Sequence, residues 1–172
     1  MDAAAQKKLA DHLESERAYM QDAVAGITDP QAAAKPAPDR WSVLEVLEHV
    51  TTVEYRFQGW IHNAEPIDAN YDASKIEDLV TQMGNRETKR DAPEPVHPKG
   101  EYTSIQDAIA AFNTARDKTL ELVAERGGSL DSVQAHHRFF GDLTGVEVLH
   151  LLAAHGSRHA DQIKETRAQV AG

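Results

Sequence analysis

GDLTGVEVLHLLAAHGSRHADQIK, residues 141–164, predicts the helix around which the other segments are arranged. Residues three and four positions apart share one face of a helix. At about 100° per residue, the two histidines at positions 155 and 159 fall in the middle of one apolar face. The apolar members of that face are Val148, Leu151, Leu152 and Ile163.

The side chains of His155 and His159 need a polar partner on this buried face, because no carboxylate lies beside them. Burying an unpaired polar group costs about a few kcal/mol. A bound metal ion would pair with both rings, whereas separate hydrogen bonds to carbonyl groups or a buried carboxylate are the alternative. A third histidine elsewhere would favour the metal. His150 lies on the opposite side of the helix and is expected to face water.

The composition is typical of a single soluble domain: 172 residues, 41% hydrophobic and 27% charged. The net charge of −10 argues against a nucleic-acid or anionic-membrane partner. The chain has neither an apolar run long enough to cross a membrane nor the apolar core of a signal peptide, so we expect a cytoplasmic protein. Because there is no cysteine, any reacting thiol must be a substrate or a small-molecule cofactor.

Three further segments show helical spacing of apolar residues: about residues 2–27, residues 43–61, and a segment that starts with the sequence TSIQ (103–106) and ends near residue 126. Capping boxes open the second helix at Ser42–Glu45 and the fourth at Thr144–Glu147. Residues 28–40 and 129–143 are predicted loops. The connection over residues 63–103 is predicted to contain one or two helical turns at 76–80. With no strand-like alternation, the chain is predicted to be all-α, a four-helix bundle.

Three charged residues fall inside apolar faces of the predicted helices: Glu16, Glu54 and Arg116. Arginine is the cation best suited to a buried, fork-shaped contact with a carboxylate, so Arg116 is expected to pair with Glu16 or Glu54. Two alternatives are that Glu16 extends to the surface at the edge of its face, and that Arg116 holds an anionic group of a ligand.

His49 supplies the third imidazole. It lies at the edge of the apolar face of the second helix, about two turns from its start. If the long connection returns the chain along the bundle, helices two and four are antiparallel. At about 1.5 Å per residue, His49 can then meet His155 and His159 in one half of the bundle.

Two stretches resemble the DinB/YfiT-like superfamily: RWSVLEVLEHV around His49, and GDLTGVEVLHLLAAHGSRHADQI around the other two histidines. The resemblance implies one domain over residues 1–172. It also implies a four-helix bundle with up-down-down-up connectivity and a long crossover between helices two and three. His49, His155 and His159 would be the ligands of a divalent metal.

The better-known members of this superfamily use low-molecular-weight thiols such as bacillithiol, mycothiol or glutathione. The resemblance therefore implies a metal-dependent transferase that joins a thiol to a small-molecule electrophile, with zinc or nickel as the expected ion. The alternatives are a metal-dependent hydrolase and a non-catalytic metal- or ligand-binding bundle of a stress response. Three histidine ligands leave a coordination position open, as in catalytic zinc sites. A homodimer is compatible with this size, and nothing in the sequence requires one.

Ligand imidazoles usually donate their second N–H to a neighbouring acceptor, and Glu45, Glu54 and Asp161 are the candidates here. Among the other histidines, His12 and His62 are expected at the surface and His97 in a proline-rich loop. His136 and His137 either lie over the mouth of the site as proton carriers or have no role.

A carboxylate-bridged two-iron site would need Glu-x-x-His on two helices of the bundle. Glu147 and His150 have this spacing, but the predicted orientation of His150 toward water argues against it. Glu94 and His97 also have the spacing, in a segment whose prolines exclude a helix.

Overall fold

The computed structural model describes residues 1–88 and 90–170. Its helices are α1 (Ala3–Val24), α2 (Asp29–Ala33), α3 (Val43–His62), α4 (Ala73–Gly84), α5 (Ile105–Arg126) and α6 (Gly145–Val170). Two 3-10 helices span Glu94–Val96 and Gly127–Ser132, and three short strands are β1 (Glu65–Pro66), β2 (Val133–His137) and β3 (Gly141–Thr144). None of the described helices is long and apolar enough to cross a membrane.

Helices α1, α3, α5 and α6 form the predicted four-helix bundle. Its core consists of two clusters. One contains the start of α3 and α5 together with the end of α1 and α6, where Met20, Val46, Phe112 and Ile163 are buried. The other contains the opposite ends of the same helices. Helices α3 and α5 therefore begin at the same end of the bundle, and α1 and α6 begin at the other.

Side chains at the helix starts confirm two predicted capping boxes. The Ser42 hydroxyl accepts from the Glu45 amide, and the Glu45 carboxylate accepts from the Ser42 amide. Thr144 and Glu147 form the same pair of bonds at the start of α6. At the start of α5, the Ser104 hydroxyl caps the helix by accepting from the Asp107 amide.

The connections contain more regular structure than predicted. Residues 129–143, expected as a loop, include a 3-10 turn and most of the β2–β3 hairpin, in which Ala135 lies opposite Leu143. Helix α4 has 12 residues rather than one or two turns, and it buries Ile76, Leu79 and Met83. Helix α2 lies in the predicted loop over residues 28–40. Short elements of this kind depend on contacts with the bundle, which local sequence patterns do not reveal.

A charged cluster lies inside the bundle, and it confirms the expected pairing of Arg116. The guanidinium is 0% exposed and donates to Glu54 through Nε at 2.7 Å and Nη2 at 3.0 Å. Its Nη1 donates to the Leu13 carbonyl at 2.5 Å and lies 2.6 Å from Glu16. All three guanidinium nitrogens thus bind protein groups, rather than an anionic ligand.

Glu16 does not extend to the surface. Its carboxylate is buried against Gly156 of α6, where a Cβ atom would clash with it. Burial raises the pKa of Glu16 to about 7, although the positive charge of Arg116 acts in the opposite direction. Glycine at position 156 therefore allows α1 and α6 to approach with a carboxylate between them.

Replacing Arg116 with methionine is expected to lower the free energy of unfolding by about 3–5 kcal/mol, because the buried Glu54 carboxylate would lose its charged partner. Urea unfolding at pH 7 would measure this change. Arg17→Met is the matched control, since Arg17 pairs with the exposed Glu14 and Asp117 and should cost less than about 1 kcal/mol. Equal losses in the two variants would contradict a special role for the buried cluster.

Candidate metal centre

Helices α3 and α6 bring His49, His155 and His159 together. The Nε2 atom of His155 lies 3.2 Å from Nε2 of His49 and 3.1 Å from Nε2 of His159. One ring nitrogen from each of the three residues lies within 4.8 Å of the other two. Helix α6 supplies its pair through the i, i+4 spacing, and α3 supplies the third ring from across the interface.

The outward nitrogens of two of these rings face hydrogen-bond acceptors: a backbone carbonyl for His49, and an amide oxygen, in the side-chain orientation seen here, for His159. Nδ1 of His49 lies 2.7 Å from the Val96 carbonyl oxygen, which only accepts hydrogen bonds. Nδ1 of His159 lies 2.8 Å from the Gln162 side-chain oxygen. In each neutral ring Nδ1 therefore carries the proton, so Nε2 presents a lone pair to the centre of the cluster.

Protons alone cannot satisfy this arrangement. Nε2 of His155 contacts two lone pairs, from His49 and His159, but a protonated Nε2 can donate to only one of them. Burial opposes the addition of a second proton to the cluster. It is the main reason why the pKa of each of the three histidines is lowered, and the pKa values of His155 and His159 fall well below 6.5. At least one inward lone pair is left without a donor unless a cation lies between the rings.

A metal ion fits this donor set. Neutral imidazole nitrogens are ordinary ligands of zinc, nickel and related ions. Two nitrogens bound to one tetrahedral zinc at about 2.0–2.1 Å lie about 3.3–3.4 Å apart, close to the two distances from His155. The Nδ1 atom of His155 is buried without a partner. Within residues 1–88 and 90–170, no carboxylate or fourth histidine joins the group.

The surroundings of the cluster come from four parts of the chain. The Trp41 ring lies against His49, with centroids 4.9 Å apart, and the His97 ring packs edge-on against Trp41. Arg158, which lies between the two ligands of α6, donates to the carbonyls of Met83, Asn85 and Thr88. The segment after α4 is thereby held against α6 beside the cluster.

The predicted acceptors for the ligand rings are wrong. Glu45 caps α3 and pairs with Lys35, Glu54 binds Arg116, and Asp161 accepts from the Tyr19 hydroxyl. The true acceptors are the Val96 carbonyl and Gln162. Gln162 was detectable in the sequence, because it lies three residues after His159 on the same helix. Val96 was not, because a backbone carbonyl from a distant segment has no sequence signature.

His150 is not exposed to water as predicted. It is 5% exposed and lies against α1, where its Nδ1 is 3.2 Å from Nδ1 of His12. His12, expected at the surface, is half-buried for the same reason, whereas His62 is exposed as expected. His97 lies in the predicted proline-rich loop, just after the 3-10 helix that ends at Val96. The prediction considered only one buried face of α6, but this helix contacts α1, α3 and α4 on different sides. Glu147, the carboxylate of the rejected two-iron motif, binds Lys75.

The two histidines of β2 point in different directions. His136 is exposed and pairs with Asp142 at 2.7 Å. His137 is buried among the rings of Phe57, Trp60 and Phe140, and burial lowers its pKa to about 4. A surface cleft of about 490 Å³ lies between the end of α3 and β2, and the three clustered imidazoles do not line it.

Acidification is expected to destabilise the metal-free protein between pH 6.5 and about 4. Burial lowers the pKa of His150 to about 4, so the unfolded chain takes up this proton near pH 6.5 while the folded chain stays neutral. The stability from this group is complete above pH 6.5 and is lost as the pH falls, by roughly 3 kcal/mol in total.

Urea unfolding in EDTA at pH 7, 6 and 5 would measure the effect. His150→Gln should make the dependence on pH shallower by up to one proton, about 1.4 kcal/mol per pH unit. The exposed His62→Gln is the control and should retain the wild-type slope. If the free energy of unfolding of His150→Gln depended on pH as steeply as that of the wild type, the assignment of this pH dependence to His150 would be contradicted.

Comparison with known proteins agrees with this architecture. The family model of the DinB superfamily matches residues 12–163. The protein named "Uncharacterized protein YuaE" from Bacillus subtilis (strain 168) is 23% identical over 146 residues, which cover 84% of this chain and 88% of YuaE.

A solved structure of YfiT from Bacillus subtilis matches with a TM-score of 0.60 and 17% sequence identity, over 99% of this chain and 90% of YfiT. YfiT is described as "a probable metal-dependent hydrolase with an unusual four-helix bundle topology". At this identity the likeness concerns the fold. Because the family model spans most of the sequence, the chain belongs to the DinB superfamily.

Proposed function

We propose that this protein binds one divalent metal ion through His49, His155 and His159 and uses it to activate a small nucleophile. The observation that carries the proposal is the meeting of three Nε2 atoms, in which those of His49 and His159 lie 3.2 and 3.1 Å from that of His155. Two of these rings have their protons directed outward, to Val96 and Gln162. A single cation would pair with every inward lone pair.

The ion would supply Lewis acidity, which lowers the pKa of a thiol or a water molecule that it coordinates. The chain's own residues hold the rings of His49 and His159 in the ligand tautomer. They also shield much of the cluster from solvent, since His49 is 4% and His159 is 9% exposed and His155 is half-buried. Low local polarity strengthens the interaction between the ion and an anionic nucleophile.

A thiol is the nucleophile that this environment favours, so we propose transfer of a low-molecular-weight thiol to a small electrophile. A thiol has an ordinary pKa near 8.5, whereas that of water is about 15.7, so the thiol needs a smaller shift to ionise at neutral pH. The three carboxylates considered as neighbours of the ligand rings, those of Glu45, Glu54 and Asp161, are bound elsewhere and do not serve as a base. The chain has no cysteine of its own to compete for the ion.

Hydrolysis is the second candidate. It is supported by the description of YfiT, which shares the fold, as a probable metal-dependent hydrolase. The same three ligands would serve either reaction, because the choice between water and a thiol depends on what enters the open coordination position. Nickel and zinc both suit three imidazoles.

Removal of one ligand should abolish stoichiometric metal binding. Purified wild-type protein is expected to retain about one equivalent of zinc or nickel after dialysis, and His155→Ala should retain only a trace, because two imidazoles hold the ion far more weakly than three. Elemental analysis would measure both. His62→Ala, at the exposed end of α3, is the control and should match the wild type. Equal trace amounts in wild type and His155→Ala would refute the proposal.

The reaction can be assigned by parallel assays on the metal-loaded protein. Bacillithiol, mycothiol, glutathione and cysteine would each be offered with an aryl halide or an epoxide, and activated esters would be offered without thiol. We expect a thiol-dependent rate that disappears with EDTA and falls by at least about 100-fold in His155→Ala. A metal-dependent ester hydrolysis with no thiol reaction would instead support the second candidate.

A further inference from the structure

The segment of residues 94–101, which we call the strap, lies between α4 and α5 and passes over the start of α3. Two adjacent side chains of α3 hold it in place. His49 contacts the Val96 carbonyl through Nδ1, and Glu48 binds the backbone of residues 99–101. His49 and Glu48, which are adjacent in sequence, therefore bind the same strap at two points.

Glu48 forms an unusually complete set of contacts with the strap. Its Oε1 accepts from the Lys99 amide at 2.5 Å, and its Oε2 accepts from the amides of Gly100 and Glu101 at 2.9 and 3.1 Å. The carboxylate is only 4% exposed. Gly100, at φ +80°, has the left-handed backbone that directs successive amides to one point.

The amides of residues 99–101 need Glu48 as their hydrogen-bond acceptor, because the strap has little regular structure at this point. Its 3-10 helix ends at Val96, and α5 begins only at residue 105. Charge-assisted bonds from three amides to one carboxylate are stronger than neutral ones. Glu48 of α3 therefore determines the backbone path of residues 97–101.

The position of the Val96 carbonyl follows from this attachment. The Val96 side chain is buried in the core, and its carbonyl is the acceptor that directs the His49 proton outward. We propose that Glu48 is a positioning residue for the metal centre: by binding residues 99–101, it holds the strap so that Val96 fixes the tautomer and orientation of His49. This inference rests on the proposed function of His49 as a ligand.

Metal binding and strap order should also be linked in both directions. If the ordered strap raises the affinity of His49 for the ion, then the ion must stabilise the ordered strap by the same factor. The amides of Lys99, Gly100 and Glu101 should consequently exchange with solvent more slowly in the metal-loaded protein. The exchange rates therefore provide a readout that does not depend on activity.

The variant Glu48→Gln tests the proposal, because an amide side chain offers one acceptor oxygen in place of two charged ones. The matched control is Glu45→Gln, one turn earlier on α3, whose carboxylate binds Ser42 and Lys35 but not the strap. Trp41, 4.9 Å from the His49 ring, reports Ni²⁺ binding by fluorescence quenching in a Trp60→Phe background. We expect Glu48→Gln to bind Ni²⁺ about 10–100-fold more weakly than Glu45→Gln.

The ¹⁵N spectrum of the metal-free imidazoles separates positioning from general stability. His49 should be a single Nδ1–H tautomer in the wild type and in Glu45→Gln, and a mixture of tautomers in Glu48→Gln. If Glu48→Gln does not fold, Gly100→Ala disturbs the same turn: its φ disfavours alanine, although no atom lies within 4 Å of the added Cβ. This variant should also weaken Ni²⁺ binding and mix the tautomers.

The outcomes distinguish this inference from the function on which it rests. Wild-type protein that binds no Ni²⁺ would refute the proposed metal centre, while the tautomer of His49 would still test the role of Glu48. Wild-type binding, together with unchanged affinity and an unchanged His49 tautomer in Glu48→Gln, would overturn the positioning role and leave the metal centre intact.

Discussion

The contact between the Val96 carbonyl and His49 is the constraint on which the centre depends. A carbonyl oxygen cannot donate, so it directs one ring proton outward and one lone pair inward. In the side-chain orientation seen here, the Gln162 amide oxygen accepts from Nδ1 of His159 in the same way. Once two lone pairs point at His155, no arrangement of protons on the neutral rings satisfies all three nitrogens. A cation between the rings would pair with every inward lone pair, and the surrounding helices hold the three rings in the arrangement that it requires.

The rest of the bundle supplies the rigidity that this arrangement requires. Burying three imidazoles with their lone pairs facing one another costs free energy, and packing elsewhere offsets it. The Arg116 cluster connects α1, α3 and α5 through Glu16, Glu54 and the Leu13 carbonyl. Gly156 lets α1 approach α6 immediately beside His155. Polar contacts thus join α1, α3 and α5, and α6 is fixed against α1 by close packing at Gly156.

Local signals predicted the parts of the fold that depend on local physics. The capping boxes at Ser42 and Thr144 mark helix starts because the bonds close within four residues. The pairing of Arg116 was predictable from its place inside an apolar face. The hairpin over residues 133–144 and the length of α4 were not, because both pack on the bundle and owe their stability to contacts distant in sequence. His150 was misplaced because a helix with neighbours on three sides has no single buried face.

The amino-acid sequence by itself determined the helical segments and placed two histidines one turn apart on the same face of α6. It also singled out His49, because its position about two turns into its helix lets it meet that pair if the two helices are antiparallel. Only the tertiary structure decided that the three rings meet at one point, which side chains orient them, and that Glu48 and His49 hold the same strap. The physical reason is that helix periodicity acts over a few residues, whereas hydrogen bonds such as those from residues 96–101 to α3 join segments about fifty positions apart.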